Sequence, residues 1–315
     1  IIGLTLASFG SFLVGMRLLT LPFKDVTRRK TDLTTADILR FSMPVFSSSL
    51  YGFVIGSASQ FFVSRYLGVE NFAMFANGYR ELPIAGIVIG AVAGILLPEF
   101  SRMTKGGSDS KQYLVLWKNV VLKSAAVIYP FSLYCCIFAP EIMGVLYGTV
   151  YREAADLFRI VTIINLVRIV PYGPIMFALG KGKIFAKAHL VTALLLLGLD
   201  FLCVTFFPSL SAIAIIATTT TVFCLVVLMV STARLLNTGL SRLMPWKSMF
   251  KILSVSTFSC FLGSCVVNLI GVTRDFPALL SGFLISIVIY LPLSYIAGIN
   301  YARLLKPLVS TNQRK

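Results

Sequence analysis

Acidic side chains are what this sequence has least of. Only 12 Asp and Glu stand against 28 Lys and Arg, with a single His, and charged residues make up 13% of the 315. General acid–base or metal chemistry needs carboxylates, imidazoles or thiols brought together in a cleft. The chain has no paired-carboxylate motif, no DxD-like metal site, no phosphate-binding glycine loop, and no polar loop long enough to build a site on. All six cysteines (Cys135, Cys136, Cys203, Cys224, Cys260 and Cys265) fall inside apolar runs without ligand spacing. They read as small apolar residues, not as disulfides or metal ligands. No catalytic residue, cofactor or metal is expected.

Long apolar runs, by contrast, are plentiful. The chain is 57% hydrophobic with a mean hydropathy of +0.88, which no water-soluble domain of this size could cover with polar surface. A bilayer core of about 30 Å takes roughly 20 apolar helical residues to cross. Runs of that order lie at 1–19, 41–66, 76–101, 113–139, 155–180, 183–206, 209–236, 249–272 and 275–298. Scattered Gly and Pro, without sustained dyad alternation, favour helices over a barrel. The expected fold is an all-α polytopic membrane protein of about nine transmembrane helices.

A net charge of +16 would suit a nucleic-acid binder, but its placement argues against nucleic acid. Twenty of the 28 basic residues sit in or beside alternate loops, from Lys24 to Arg40, Arg102 to Lys118, Lys181 to Lys187, Arg234 to Lys251 and Arg303 to Lys315. The loops between them carry only Arg152 and Arg274. The positive-inside rule makes the first set cytoplasmic, together with the C-terminus. The first run then passes from outside to inside, and with Ile1 in place of Met this points to an earlier segment of the protein.

The stretch KDVTRRKTDLTTAD, at 24–37, breaks the apolar pattern and reads as a boundary. The expected organisation is a last helix of an absent N-terminal bundle at 1–19, a cytoplasmic linker at 20–37, and a six-helix bundle at 38–236. An amphipathic cytoplasmic loop at 237–248, two accessory helices at 249–298 and a basic cytoplasmic tail at 299–315 complete it.

Four stretches carry a family resemblance: LRFSMPVF at 39–46, ANGYRELPIAGIVIGAVAGILLPEFSRM at 76–103, YREAADLFRI at 151–160 and ALGKGKIFAKAHL at 178–190. In order and spacing they resemble the polysaccharide and O-antigen flippases, which share a superfamily with the lipid II flippases and the multidrug and toxin extruders. The resemblance covers 35–240, while 249–298 matches only as two apolar spans. The ELP and LLP elements are shared with the lipid II branch; the FRI and GKGK pieces look more like the oligosaccharide branch.

The resemblance implies a two-bundle flippase in the bacterial cytoplasmic membrane. It would move an undecaprenyl-diphosphate-linked oligosaccharide, such as an O-antigen, capsule or exopolysaccharide repeat unit, to the outer leaflet by alternating access. This chain would supply the sixth to fourteenth helices, forming the C-terminal lobe. Expected partners are the lipid-linked oligosaccharide, the bilayer, the absent N-terminal bundle and the polysaccharide polymerase machinery. A lipid II flippase or a multidrug exporter is the nearest alternative. More distant ones are a polyprenyl-phosphate glycosyltransferase or O-antigen polymerase, for which the chain lacks a site, and a channel, for which it lacks a pore-loop repeat.

Moving an anionic, hydrated headgroup through hydrocarbon requires a cavity that offers cations and hydrogen bonds in place of water. Candidates for substrate contact are Arg80 and Glu81 at the start of the third run, Lys123 in the fourth, and Arg159 and Arg168 in the fifth, with Arg168 nearest mid-membrane. Snorkelling is the competing reading for Arg80, Lys123 and Arg159; for Arg168 it is a structural pair with Glu81 or Asp200. His189 and Asp200, in the sixth run, are candidates for ion coupling, against interfacial hydrogen bonding and helix anchoring. Cation extruders need inward-facing acids, whereas the deepest charges here are mainly basic. Gly86, Gly90 and Gly94 share one helical face and predict close packing against a neighbour. Pro171, Gly173 and Pro174 predict a bend beside Arg168, as a hinge or a static kink.

Overall fold

The computed structural model describes residues 2–19, 34–299 and 301. The expected linker therefore lies outside the described residues at 20–33, and so does the basic tail apart from 299 and 301. The chain forms two compact units, 1–42 and 43–315. The first contains α1 (Ile2–Leu19) and the start of α2 (Thr35–Tyr66). A reciprocal cap opens α2: the Thr34 hydroxyl donates to Asp37 Oδ2 (2.6 Å), and the Asp37 N–H donates to Thr34 Oγ1 (3.2 Å).

The second unit holds the rest of α2, then α3 (Val69–Gly78), α4 (Pro83–Lys105), α5 (Ser110–Ile137) and α6 (Ala139–Tyr147). A 3₁₀ turn (Thr149–Ala154) leads into α7 (Ala155–Thr162), α8 (Ile164–Val167) and α9 (Gly173–Ala178). The series ends with α10 (Gly182–Phe206), α11 (Leu210–Leu235), the short α12 (Leu240–Leu243), α13 (Trp246–Ile270) and α14 (Asp275–Ile296). There is no strand among the described residues. Seven helices (α2, α4, α5, α10, α11, α13 and α14) are long and apolar enough to cross a bilayer. Their outer faces expose large apolar side chains such as Leu194, Phe201, Phe258, Phe261 and Leu284, the arrangement hydrocarbon demands. The chain is an all-α, multi-pass membrane protein.

Seven continuous crossings stand where nine runs were expected, and the shortfall has physical causes. In α1 the apolar part is short, Thr5–Leu19. The run at 155–180 is broken into α7, α8 and α9, and the gap between α8 and α9 follows from Pro171 and Pro174, which remove backbone donors and block the helical register just before them. The run at 76–101 starts late: α3 stops at Gly78, Leu82 is extended (φ −65°, ψ 120°), and Pro83 opens α4, the position at which a missing N–H costs nothing.

The packing centre is α5. Trp117, Val120, Val121, Ser124, Ala125 and Ile128 recur at three- and four-residue spacing on one face and are fully or almost fully buried. In lipid the gain from this face is close van der Waals contact and not escape from water. One packing expectation fails. A Cβ added at Gly86, Gly90 or Gly94 would meet nothing within 4 Å, so that face of α4 is open, not pressed on a neighbour. Many hydroxyls inside the helices are satisfied locally, although those of Ser124, Ser132, Ser259 and Ser286 are buried without a partner. Ser47, Ser57, Ser101, Thr162, Thr192, Thr221, Ser231, Thr232 and Ser256 each donate to the carbonyl four residues back, at 2.6–2.9 Å.

Candidate functional site

Two interruptions of the helical backbone meet at one cavity. The first follows α3. Gly78 lies so close to the 3₁₀ turn that an added Cβ would fall 2.9 Å from Ala154 Cβ. Tyr79 then leaves the helix (φ −82°, ψ 64°), and Arg80 and Glu81 occupy the non-helical link to Pro83. Tyr79 anchors that link: its ring stacks on Phe75 with centroids 5.0 Å apart, and its hydroxyl is hydrogen-bonded to Thr218 Oγ1 at 3.1 Å.

The second interruption follows α8. Arg168 turns out of helical geometry (φ −87°, ψ 67°) three residues before Pro171. A helix that stops inside a membrane leaves carbonyls to be satisfied by other means. The Tyr129 hydroxyl donates to the Leu166 carbonyl at 3.0 Å. Arg168 forms an ion pair through Nη2 with Glu81 Oε2, so each break supplies one partner of a salt bridge that ties the two together.

Around this pair is a cavity of about 690 Å3. Arg80, Glu81 and Arg168 line it together with Ser59 and Gln60 of α2, His189 and Thr192 of α10, and Thr221 of α11. Asp200 stands directly behind the wall. It is fully buried and accepts a hydrogen bond from the Ser59 hydroxyl at 2.7 Å, so one hydroxyl separates a buried carboxylate from the cavity. His189 Nδ1 is 2.9 Å from the Phe185 carbonyl, a contact that places a proton on Nδ1 and leaves Nε2 an acceptor in the neutral ring.

Of the seven charged or titratable candidates, the structure brings Arg80, Glu81, Arg168 and His189 to this cavity, with Asp200 one side chain away. Arg159 and Lys123 are not part of its lining. Arg159, on α7, pairs with Asp156 at 2.8 Å and donates from Nε to the Cys136 carbonyl at 3.2 Å. Lys123 is partly exposed on α5. The residues missed from sequence are the neutral ones: Ser59, Gln60, Tyr79, Thr192 and Thr221. Gln60 carried a signal, as an amide deep in an apolar run, and Tyr79 sits inside the quoted ANGYRELP stretch. Among the described residues there is no cluster of three or more His, Cys, Asp or Glu able to hold a metal.

Such a lining can bind an anion that also carries hydroxyls. Guanidinium groups offer forked donors to phosphate or carboxylate, and Gln, Ser and Thr suit sugar-like groups. Fold and site thus define a multi-pass α-helical membrane protein with a charged cavity among its helices. Residues 5–156 match the family model for polysaccharide biosynthesis proteins, which fits the polysaccharide and O-antigen flippase resemblance. The match takes in Arg80 and Glu81 and ends before Arg159, Arg168, His189 and Asp200. No curated protein and no solved structure matches the chain.

Proposed function

We propose that the protein is a flippase that carries an undecaprenyl-diphosphate-linked oligosaccharide across the bacterial cytoplasmic membrane, with its basic loops and C-terminus on the cytoplasmic side. The observation that carries this reading is the Arg168–Glu81 pair, seated in a cavity and on two backbone breaks. An arginine alone inside a membrane costs at least a few kcal/mol even on the lenient insertion scale. Glu81 acts as the resident anion that removes this cost while the cavity is unloaded. An arriving diphosphate competes for the same guanidinium, with Arg80 beside it, and its sugars meet Gln60, Ser59 and Thr221. Arg159 and Lys123, which are not part of the cavity lining, stay outside the headgroup contact.

Asp200, reached through Ser59, and His189 are the groups proposed to carry the coupling ion or proton. No bond is made or broken in this scheme, so the protein is a transporter and not an enzyme. Its partners are the lipid-linked oligosaccharide, the bilayer and the machinery that polymerises the exported units.

The test is glycan export by the full-length protein in a strain lacking its own flippase. Arg168→Ala should abolish export while membrane insertion stays normal, and Arg168→Lys should retain part of it, because the charge remains and the fork does not. Normal export by Arg168→Ala at native expression would overturn the proposal.

A further inference from the structure

Beyond α14 the described chain turns back onto the bundle. Gly298 takes a left-handed backbone (φ 74°). Its N–H donates to the Tyr295 carbonyl at 2.9 Å, and the Ile299 N–H donates to the Ser294 carbonyl at 2.8 Å, the paired bonds that end a helix and reverse its chain. Ile299 is buried. The Tyr301 hydroxyl then donates to the Ala126 carbonyl of α5 at 3.3 Å. The stretch expected as a basic tail thus opens with contacts to the core.

The carbonyl that Tyr301 reaches is a particular one. Pro130 lies inside α5, four residues after Ala126, and having no N–H it cannot close the helical hydrogen bond to that carbonyl. A carbonyl freed in this way inside a membrane needs a donor from elsewhere, and Tyr301 supplies one. Two contacts hold this turn from the same side. Because Tyr301 gives its proton to Ala126, Tyr290 of α14 is the donor between the two tyrosine hydroxyls, and their rings meet edge-on with centroids 6.0 Å apart. Cys260 Sγ of α13 lies 3.9 Å from the Pro130 carbonyl.

The same turn of α5 also holds the second interruption. Tyr129, the residue before Pro130, donates its hydroxyl to the carbonyl of Leu166, two residues before Arg168. Further along α5 the Trp117 ring meets that of Tyr172, just past the break, with centroids 5.4 Å apart. α5 therefore grips the broken segment on both sides of Arg168. We propose that Tyr301 is a positioning residue: by replacing the donor that Pro130 lacks it fixes the shape of α5 at this turn, and through Tyr129 it fixes where Arg168 stands. Without the hydroxyl the Ala126 carbonyl has to find another donor. The turn between Ala126 and Pro130 must then shift to offer one, and Tyr129 moves with it.

The experiment follows backbone hydrogen exchange by mass spectrometry, with the full-length protein in lipid nanodiscs. Tyr301→Phe removes one hydroxyl and should speed exchange at 164–170 by about threefold to tenfold, the worth of one hydrogen bond. Tyr290→Phe, which removes only the support of that hydroxyl, should speed it less. Tyr129→Phe should speed it on its own and add little to Tyr301→Phe, as expected of two groups acting through one link. The decisive variant is Pro130→Ala. It returns an N–H to the helix, so Tyr301→Phe made on top of it should leave exchange at 164–170 unchanged. If Tyr301 only anchors the chain end, its loss will speed exchange at 290–299 alone, or will act equally with Pro130 and with Ala at that position; either result overturns the proposal. Neither export nor cargo is read, so the outcome stands apart from that of the flippase proposal.

Discussion

The two backbone interruptions and the continuous helices facing them present charge to the same cavity by different means. Arg80, Glu81 and Arg168 sit where the backbone has left the helix, so a few torsions can move them and exchange their partners. His189 and Asp200 sit within α10, an unbroken 25-residue helix, and are held by fixed neighbours, the Phe185 carbonyl and the Ser59 hydroxyl. The contrast teaches a division of labour. A group that must trade a carboxylate for a phosphate belongs at a break; a group that must keep its surroundings constant while it binds or releases a small ion belongs on an intact ladder.

The largest expected effect comes from reversing the charges at the breaks. Glu81→Arg or Arg168→Glu alone should lower export by the equivalent of about 2 kcal/mol or more, roughly 30-fold. The double swap should restore expression and insertion but little export, since the cation then sits on the wrong break. Full export from the swapped protein would reduce the pair to a structural strut. Next comes Gly78→Val, which forces a side chain into Ala154 and should destabilise the first interruption by about 1–3 kcal/mol. Heat-induced aggregation in detergent would read this as a lower midpoint, and an unchanged midpoint would mean the link can relax freely.

On the continuous side, Ser59→Ala removes the donor to a buried carboxylate, expected to cost about 1–2 kcal/mol, while Ser59→Thr keeps it. The same melting measurement decides, and equal midpoints for the two variants would remove Ser59 as the gate to Asp200. Smallest of all is Gly90→Leu on the open face of α4. It should shift stability by no more than about 0.5 kcal/mol; a large loss would mean that this face is already packed against something in the membrane.

The continuous helices were almost fully legible. The runs read at 183–206, 209–236 and 275–298 correspond to Gly182–Phe206, Leu210–Leu235 and Asp275–Ile296, because twenty apolar residues in a bilayer leave the backbone no alternative to a helix. The interruptions were less legible, since hydropathy reports which solvent a residue prefers and not where its carbonyl bonds. The prolines near Arg168 gave the second break away, whereas Pro83 could be read as a residue inside the third run until its place at the start of α4 was known. Charges in the site stood out by their rarity. Ser59 and Thr221 did not, because most hydroxyls in these helices only bond the preceding turn, and nothing local distinguishes one that faces a cavity.

That habit of the hydroxyls has a mechanical consequence. A serine or threonine that bonds its own helix contributes no bond to the next, so two such helices can slip past each other without breaking any hydrogen bond. Resistance to sliding then comes mainly from side-chain interlock, which is graded and recoverable. Polar cross-links between elements, among them Ser59 to Asp200, Tyr79 to Thr218, Tyr129 to Leu166, Thr104 to Tyr113 and Tyr134 to Leu279, act as rivets in an otherwise greased assembly. Ser59 to Asp200 and Tyr79 to Thr218 lie at the wall of the charged cavity, so sliding there has to break a hydrogen bond.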